Sequence, residues 1–415
     1  MSYHLFPFDK VPKNSRIVLY GAGNVGKQFY DQVTETNFCE IVLWLDKKAD
    51  GILIKKPETV TSLNATDYDI VVIAIYNETI MLEVKTLLMN YGISESKIIH
   101  HIHQIPSCVS IEASTLCQLN CKTCYMRKSN SGTVGKGYLK LNDFKKFVLT
   151  HKFITKIELS NSGEIFLNPD LIDILKCAFE NKVELTANGG VNFNTVSNEV
   201  IEALVVYNFR SMKIAIDGAS QKVYSEYRRN GNFDTVISNI KKLNYFKNKY
   251  NSEYPKLVWQ YIIMEHNENE VSKAKEMAKE LGIELIFKLT WDWGYIPKNV
   301  DMLKKETGLQ YLARKEILLA TGKIPYHLCH QLWESPQINY DGRLLGCCAV
   351  YLDDFGVNVF EVGLERAINS ANYITAKKML KGEIDTPKDV RNIPCVNCGT
   401  FKTMKKENIF IRSRA

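Results

Sequence analysis

Cys117-Gln118-Leu119-Asn120-Cys121-Lys122-Thr123-Cys124 is the stretch that decides how the rest of this chain is read. The three thiols follow directly on an apolar run, CVSIEAS (108–114), and so belong to a loop at the end of a strand. Soft thiolates suit iron–sulfur clusters or zinc. Three is the informative count, because a 4Fe-4S cluster held by three cysteines leaves one iron an open coordination position. On the residues alone the rival is a zinc site completed by His101 or His103.

Downstream, further apolar runs alternate with helical patterns: KIELS (156–160), VELTAN (183–188), MKIAID (212–217), KLVWQYIIM (256–264) and IELIFKL (283–289). Parallel strands need crossover connections, usually helical, so residues 105–295 are expected to form a central partial (β/α)6 barrel. Upstream, RIVLY (16–20) runs into Gly21-Ala22-Gly23-Asn24-Val25-Gly26 and a helical segment, and a second strand ends in Asp46. Strand, glycine turn, helix and a distant acid predict a doubly wound parallel sheet over 1–104, with Gly21, Gly23, Gly26 and Asp46 as nucleotide-binding candidates. NAD and a nucleotide-sugar are both compatible, since pyrophosphate at a helix N-terminus is the physics they share; a docking module with no ligand is the bland alternative. Beyond 296 the alternation fades into a small cysteine-rich region, 296–415. The fold class is α/β.

At 415 residues with 45% hydrophobic and 24% charged side chains, the chain has the composition of a globular protein of more than one domain. The formal charge of +7 is scattered as single lysines and short pairs, which is the pattern of solvated helix faces and points to no nucleic-acid partner. The longest apolar run is too short for a bilayer and the first residues lack a signal-peptide layout, so the expectation is a cytoplasmic protein with no membrane partner. Eleven cysteines in such a setting suggest metal binding or catalysis rather than disulfides. Cys39, Cys108, Cys177 and Cys348 stand apart and read as small buried hydrophobes.

The Cys-x3-Cys-x2-Cys spacing resembles the radical S-adenosylmethionine superfamily, and the likeness runs over roughly 107–290. The resemblance implies a 4Fe-4S cluster on Cys117, Cys121 and Cys124 that binds S-adenosylmethionine and cleaves it to a 5′-deoxyadenosyl radical. Ser162-Gly163-Glu164-Ile165 looks like the family's GGEP-type loop, which assigns Glu164 to the methionyl ammonium, although Ser162 and Ile165 depart from the pattern. Thr186-Ala187-Asn188-Gly189 resembles the family's TNG segment; Asn188 either meets the cofactor or ends the strand as an Asx turn. Ile216-Asp217-Gly218-Ala219 matches an S-x-D-G sequence except that Ala215 replaces the serine, and Asp217 is thereby a cofactor candidate. Arg228 is the candidate for the cofactor carboxylate, because guanidinium grips carboxylate bidentately. Gln260, on the fifth strand, is assigned to the adenine.

Cys329, Cys347, Cys395 and Cys398 supply four further thiols from distant segments. Four is a closed count, suited to a cluster that carries electrons, with structural zinc as the chemical rival. The arrangement is similar to the twitch or SPASM extension of the same superfamily and implies one auxiliary 4Fe-4S cluster, with Cys348 as a neighbour able to substitute for Cys347. Together these features suggest oxidation or epimerisation of a small-molecule substrate, a sugar or nucleotide-sugar, with flavodoxin or ferredoxin as electron donor. The alternatives are a maturase of ribosomally made peptides and a nucleotide-responsive iron–sulfur redox or scaffold protein. Trp291-Asp292-Trp293-Gly294, after the sixth strand, either packs against the barrel end or meets substrate.

Overall fold

The computed structural model describes residues 2–124, 134–292, 294–321, 328–349, 353–387, 391–408 and 410–411, so Trp293 lies outside the described residues. It divides into two compact units, Met1–Pro106 and Ser107–Ala415. Among the described residues no helix is long and apolar enough to cross a membrane.

In the first unit, β2 (Arg16–Tyr20), β3 (Glu40–Leu45), β4 (Ile54–Lys55), β5 (Ile70–Ile73) and β6 (Ile98–Ile99) form a parallel sheet in the order β4-β3-β2-β5-β6. Side chains alternate across a strand, so one apolar run supplies two cores. Ile17 and Leu19 pack with Phe29 and Val33 of the helix Asn24–Thr36. Val18 and Tyr20 pack on the other face with Val84 and Leu88 of the helix Glu78–Asn90. Each fully buried aliphatic or Phe side chain contributes about 1.5–3 kcal/mol. The strand order reverses between β2 and β5, where an open parallel sheet offers a crevice. An antiparallel ribbon, β1 (Ser2–Leu5) with β7 (His103–Pro106), completes this unit.

In the second unit each of the six apolar runs is a strand. These are β8 (Cys108–Ile111), β9 (Lys156–Glu158), β10 (Glu184–Val191), β11 (Ser211–Ala215), β12 (Lys256–Ile263) and β13 (Glu284–Leu289). They lie parallel, each beside the next in chain order. From the C-terminal region, β14 (Gln337–Ile338) adds to β8 in parallel, and β15 (Leu344–Gly346) pairs with β14 antiparallel. The hairpin that turns at Asp341-Gly342 thus extends the same sheet.

The two faces of this sheet differ in chemistry. One carries Val109, Ile157, Leu185, Met212, Ile214, Trp259, Tyr261 and Ile263, all buried. The other, by register, carries Ser110, Glu158, Thr186 and Ser211 in one row and Lys213, Gln260 and Lys288 further along. A closed barrel fills its centre with branched aliphatics. A polar inner face is what a ligand-holding one needs.

Candidate active site

The cysteine loop is held from two sides by backbone. Asn120 N–H donates to the Arg229 carbonyl at 2.9 Å, and Glu164 N–H donates to the Leu116 carbonyl at 2.8 Å. The second contact explains Gly163: a Cβ there would lie 2.3 Å from the Ser114 carbonyl oxygen and 2.7 Å from that of Leu116. Only glycine allows so close an approach. The loop after β9 is thereby pressed against the loop after β8, bringing Glu164 beside the cysteines.

Cys117 is exposed, Cys121 buried and Cys124 intermediate. Burial raises the Cys117 thiol to about 11, with the Glu164 carboxyl and the other two thiols adding to the shift. Burial also raises Cys121, but here Arg228 opposes it, with Nη1 donating to Sγ at 3.8 Å. The guanidinium Nε donates to Asp217 Oδ2 at 2.7 Å, and Asp217 is fully buried. Burial works against the charge on Arg228, and Asp217 and Cys121 outweigh it, so the side chain stays cationic. The second Asp217 oxygen accepts from Ile262 N–H at 2.8 Å. Asp217, expected to meet a cofactor, thus has one oxygen on Arg228 and the other on Ile262.

Glu164 is 1% exposed, and burial pushes its carboxyl up to about 7. It accepts from Asn192 N–H at 2.6 Å and Phe166 N–H at 3.4 Å. Sequence reasoning missed Asn192, whose amide Nδ2 reaches Cys117 Sγ at 3.6 Å while Oδ1 accepts from Gln118 at 2.9 Å. Its only signal is its place just past β10. Asn188, the residue expected there, is tied to Ser211 by two hydrogen bonds of 3.0 and 3.2 Å. Gln260 keeps its Oε1 buried and without a partner, while its Nε2 lies beside Gly190.

Glu112, at the end of β8, was also missed. Its carboxylate is 1% exposed and accepts from Ser162 Oγ at 2.7 Å, Ser162 N–H and Asn161 at 3.0 Å, and Gln337 at 3.2 Å. Burial raises it to about 7, hydrogen bonds from Ser162 and Asn161 oppose that, and Glu158 adds to it. The departure at Ser162 thus has a structural cause: its hydroxyl serves a buried acid that glycine would leave short of a donor.

The thiols of Cys329, Cys347 and Cys395 face one another, with Cys398 beside Cys329 and Cys395. Burial drives Cys329 and Cys395 to about 12, and the neighbouring thiols push in the same direction. Cys347 has Cys348, Cys395 and Cys329 as neighbours, and Cys348 has Cys329 and Glu112 within reach as well. Among the described residues no three His, Cys, Asp or Glu side chains close on one point as a single metal ion requires. A tetrahedral zinc site needs thiolates about 2.3 Å from one centre, whereas a cluster spreads them over several irons. The donor chemistry of both cysteine groups, all thiol, fits iron–sulfur clusters.

In the first unit, a cavity of about 610 Å³ is lined by Tyr20, Gly21, Gly23, Asn24, Asp46, Lys47 and Tyr76 among others. Gly23 precedes the helix Asn24–Thr36 and gives it no side-chain cap. A Cβ on Gly26 would meet the Gly21 carbonyl oxygen at 1.9 Å, so Gly26 serves helix–strand packing. Asp46 accepts from Ala22 N–H at 2.7 Å and Lys48 N–H at 2.8 Å. The acid expected at a ribose hydroxyl therefore also fastens the glycine loop.

Residues 111–248 match the family model described as the radical SAM superfamily. No curated protein matches the chain. Among solved structures, Streptococcus suis SuiB bound to S-adenosylmethionine is similar in fold, with a TM-score of 0.53 at 15% identity, covering 94% of this chain and 88% of that one. SuiB bound to its precursor peptide SuiA gives a TM-score of 0.52 at 15% identity, with the same coverage. At such identity the likeness is one of fold.

Proposed function

Residues 111–248 being a radical SAM domain, we propose that this protein is an enzyme that holds a 4Fe-4S cluster on Cys117, Cys121 and Cys124 and uses it to cleave S-adenosylmethionine reductively. Bound there, the cluster and S-adenosylmethionine supply one-electron chemistry that removes a hydrogen atom from a substrate. The observation that carries this reading is the convergence of three thiols, the Arg228–Asp217 ion pair and the buried Glu164 at the ends of the barrel strands.

The chain's own groups have distinct tasks. Arg228 sets a fixed positive charge against Cys121, which favours the thiolate that a metal needs. Asn192 donates to the Cys117 sulfur and through its backbone holds Glu164. Glu164, in its ionised form, is suited to a cationic amine, and such a partner would bring its raised pKa down. Gln260 offers an unpaired amide to the cofactor or substrate.

Cys329, Cys347, Cys395 and Cys398 are proposed to hold one auxiliary 4Fe-4S cluster in a twitch-type region within 296–415. The first unit, 1–104, is proposed as a Rossmann-like module whose cavity takes NAD or a nucleotide-sugar at Gly21, Gly23 and Asp46. On that basis the substrate is a sugar or nucleotide-sugar undergoing oxidation or epimerisation. Peptide maturation is the second reading, favoured by the fold likeness to SuiB, whose structure with precursor peptide SuiA spans 94% of this chain.

Anaerobic reconstitution with iron and sulfide, followed by iron counting and a 5′-deoxyadenosine assay with dithionite, tests the proposal. About eight irons per chain and deoxyadenosine formation are expected. Cys121→Ala should lose about four irons and all cleavage. Zinc in place of iron, or no cleavage by the wild type, would overturn it.

A further inference from the structure

The polar face of the barrel sheet is segregated by charge. Glu112 follows β8 and Glu158 belongs to β9, and the charge of Glu158 adds to the cost of ionising Glu112. On the opposite strands stand Lys213 of β11 and Lys288 of β13. The register Lys213↔Val258 and Ile262↔Lys288 puts both lysines on the face that carries Gln260. Among the described residues neither lysine has a hydrogen-bond or ion-pair partner. Lys288 opens onto solvent from this face, yet burial by the surrounding strands and the charge of Lys213 lower its pKa. Asp217, the nearest acid felt by Lys288, already has both oxygens engaged by Arg228 and Ile262.

Between these lysines β12 contributes Gln260, 5% exposed, whose Oε1 is buried without a partner. A buried amide left unpaired costs about 1–3 kcal/mol. Two cations kept within each other's field with no counter-charge also cost free energy. The cost of the uncompensated cations disappears if an anion lies against this wall, accepting from the two ammonium groups and from the Gln260 amide nitrogen.

We propose that Lys213, Lys288 and Gln260 form the subsite for an oxyanion of the substrate, a carboxylate or a phosphoryl group. This rests on the barrel being the substrate chamber of the proposed enzyme. It excludes a neutral sugar as the whole substrate and is met by a sugar phosphate, a uronic acid, a nucleotide-sugar or a peptide with an acidic side chain.

The test is calorimetric titration of the full, anaerobically reconstituted chain with inorganic phosphate and, separately, malonate. A Gly23→Asp background removes phosphate binding at the glycine loop of the first unit. Lys213→Met and Lys288→Met should each weaken the preferred probe about tenfold, the usual effect of losing one charged hydrogen bond. Lys288→Arg should retain it. Preference for phosphate identifies a phosphorylated substrate, and preference for malonate a carboxylate. In wild-type protein the bound probe should also protect Lys288 from acetylation, read by mass spectrometry, which needs no variant to fold. Equal affinity in all lysine variants, or no binding of either probe, would overturn the subsite. Failure of the radical reading would show separately, as absent 5′-deoxyadenosine.

Discussion

Asp217 and Arg228 illustrate how a single buried pair sets the chemistry next to it. Removing one partner of a buried, hydrogen-bonded pair strands the other charge, at a cost of about 3–5 kcal/mol. Asp217→Asn should therefore lower unfolding free energy by that amount in urea titration and let Arg228 move off Cys121; an unchanged midpoint would mean that the pair is dispensable. Glu112 makes a pH prediction. Its folded pKa of about 7 stands above the ordinary glutamate value of 4.5, so between those values the folded chain holds a proton that the unfolded chain has lost. Stability must then fall as pH rises across that window, by on the order of 3 kcal/mol from this group. Glu112→Gln should flatten the stability profile between pH 4.5 and 7, measured by denaturation at fixed pH steps. Ser162 and Gln337, which donate to Glu112, could not be linked to it by motif, since Gln337 lies 225 positions away.

At the level of elements, the strand ends carry the site because the loops that follow them are packed against one another. Gly163 is the contact point between the loops after β8 and β9. Gly163→Ala would force its new methyl group into two backbone carbonyl oxygens that cannot rotate away. The expected outcome is a separated loop pair, with iron incorporation at the cysteine triad falling well below wild type and deoxyadenosine formation with it. Normal iron content in that variant would show that the approach is not required. The alternation of apolar runs makes the strands readable in advance, as does the glycine turn at Gly21–Gly26. The short β14 and β15 are less so, because two or three residues contain no period; only pairing defines them, β14 with β8 and β15 with β14.

Across the second unit as a whole, the C-terminal segment joins the barrel sheet through β14 and brings two adjacent cysteines to different surroundings. Cys347 neighbours Cys395 and Cys329, whereas Cys348 lies near Cys329 and Glu112. Cys347→Ser should therefore cost about four irons per chain while Cys348→Ser keeps them, by iron and sulfide analysis. The reverse result would exchange their roles. This choice rests on Cys347 having both Cys329 and Cys395 as neighbours, which no spacing rule shows.

What the sequence determined by itself is local. Donor type and spacing made the cysteine triad a metal site candidate, and two-residue periodicity and glycine placement made the chain α/β with parallel strands. Tertiary structure decided the partnerships: Arg228 with Cys121 across 107 positions, Asn192 with Glu164, Asp217 as a positioning acid, and the lysines and carboxylates on opposite walls of one polar face. The reason is physical. Periodicity follows from backbone geometry within a few residues, whereas the state of a buried charge depends on which distant groups packing places beside it.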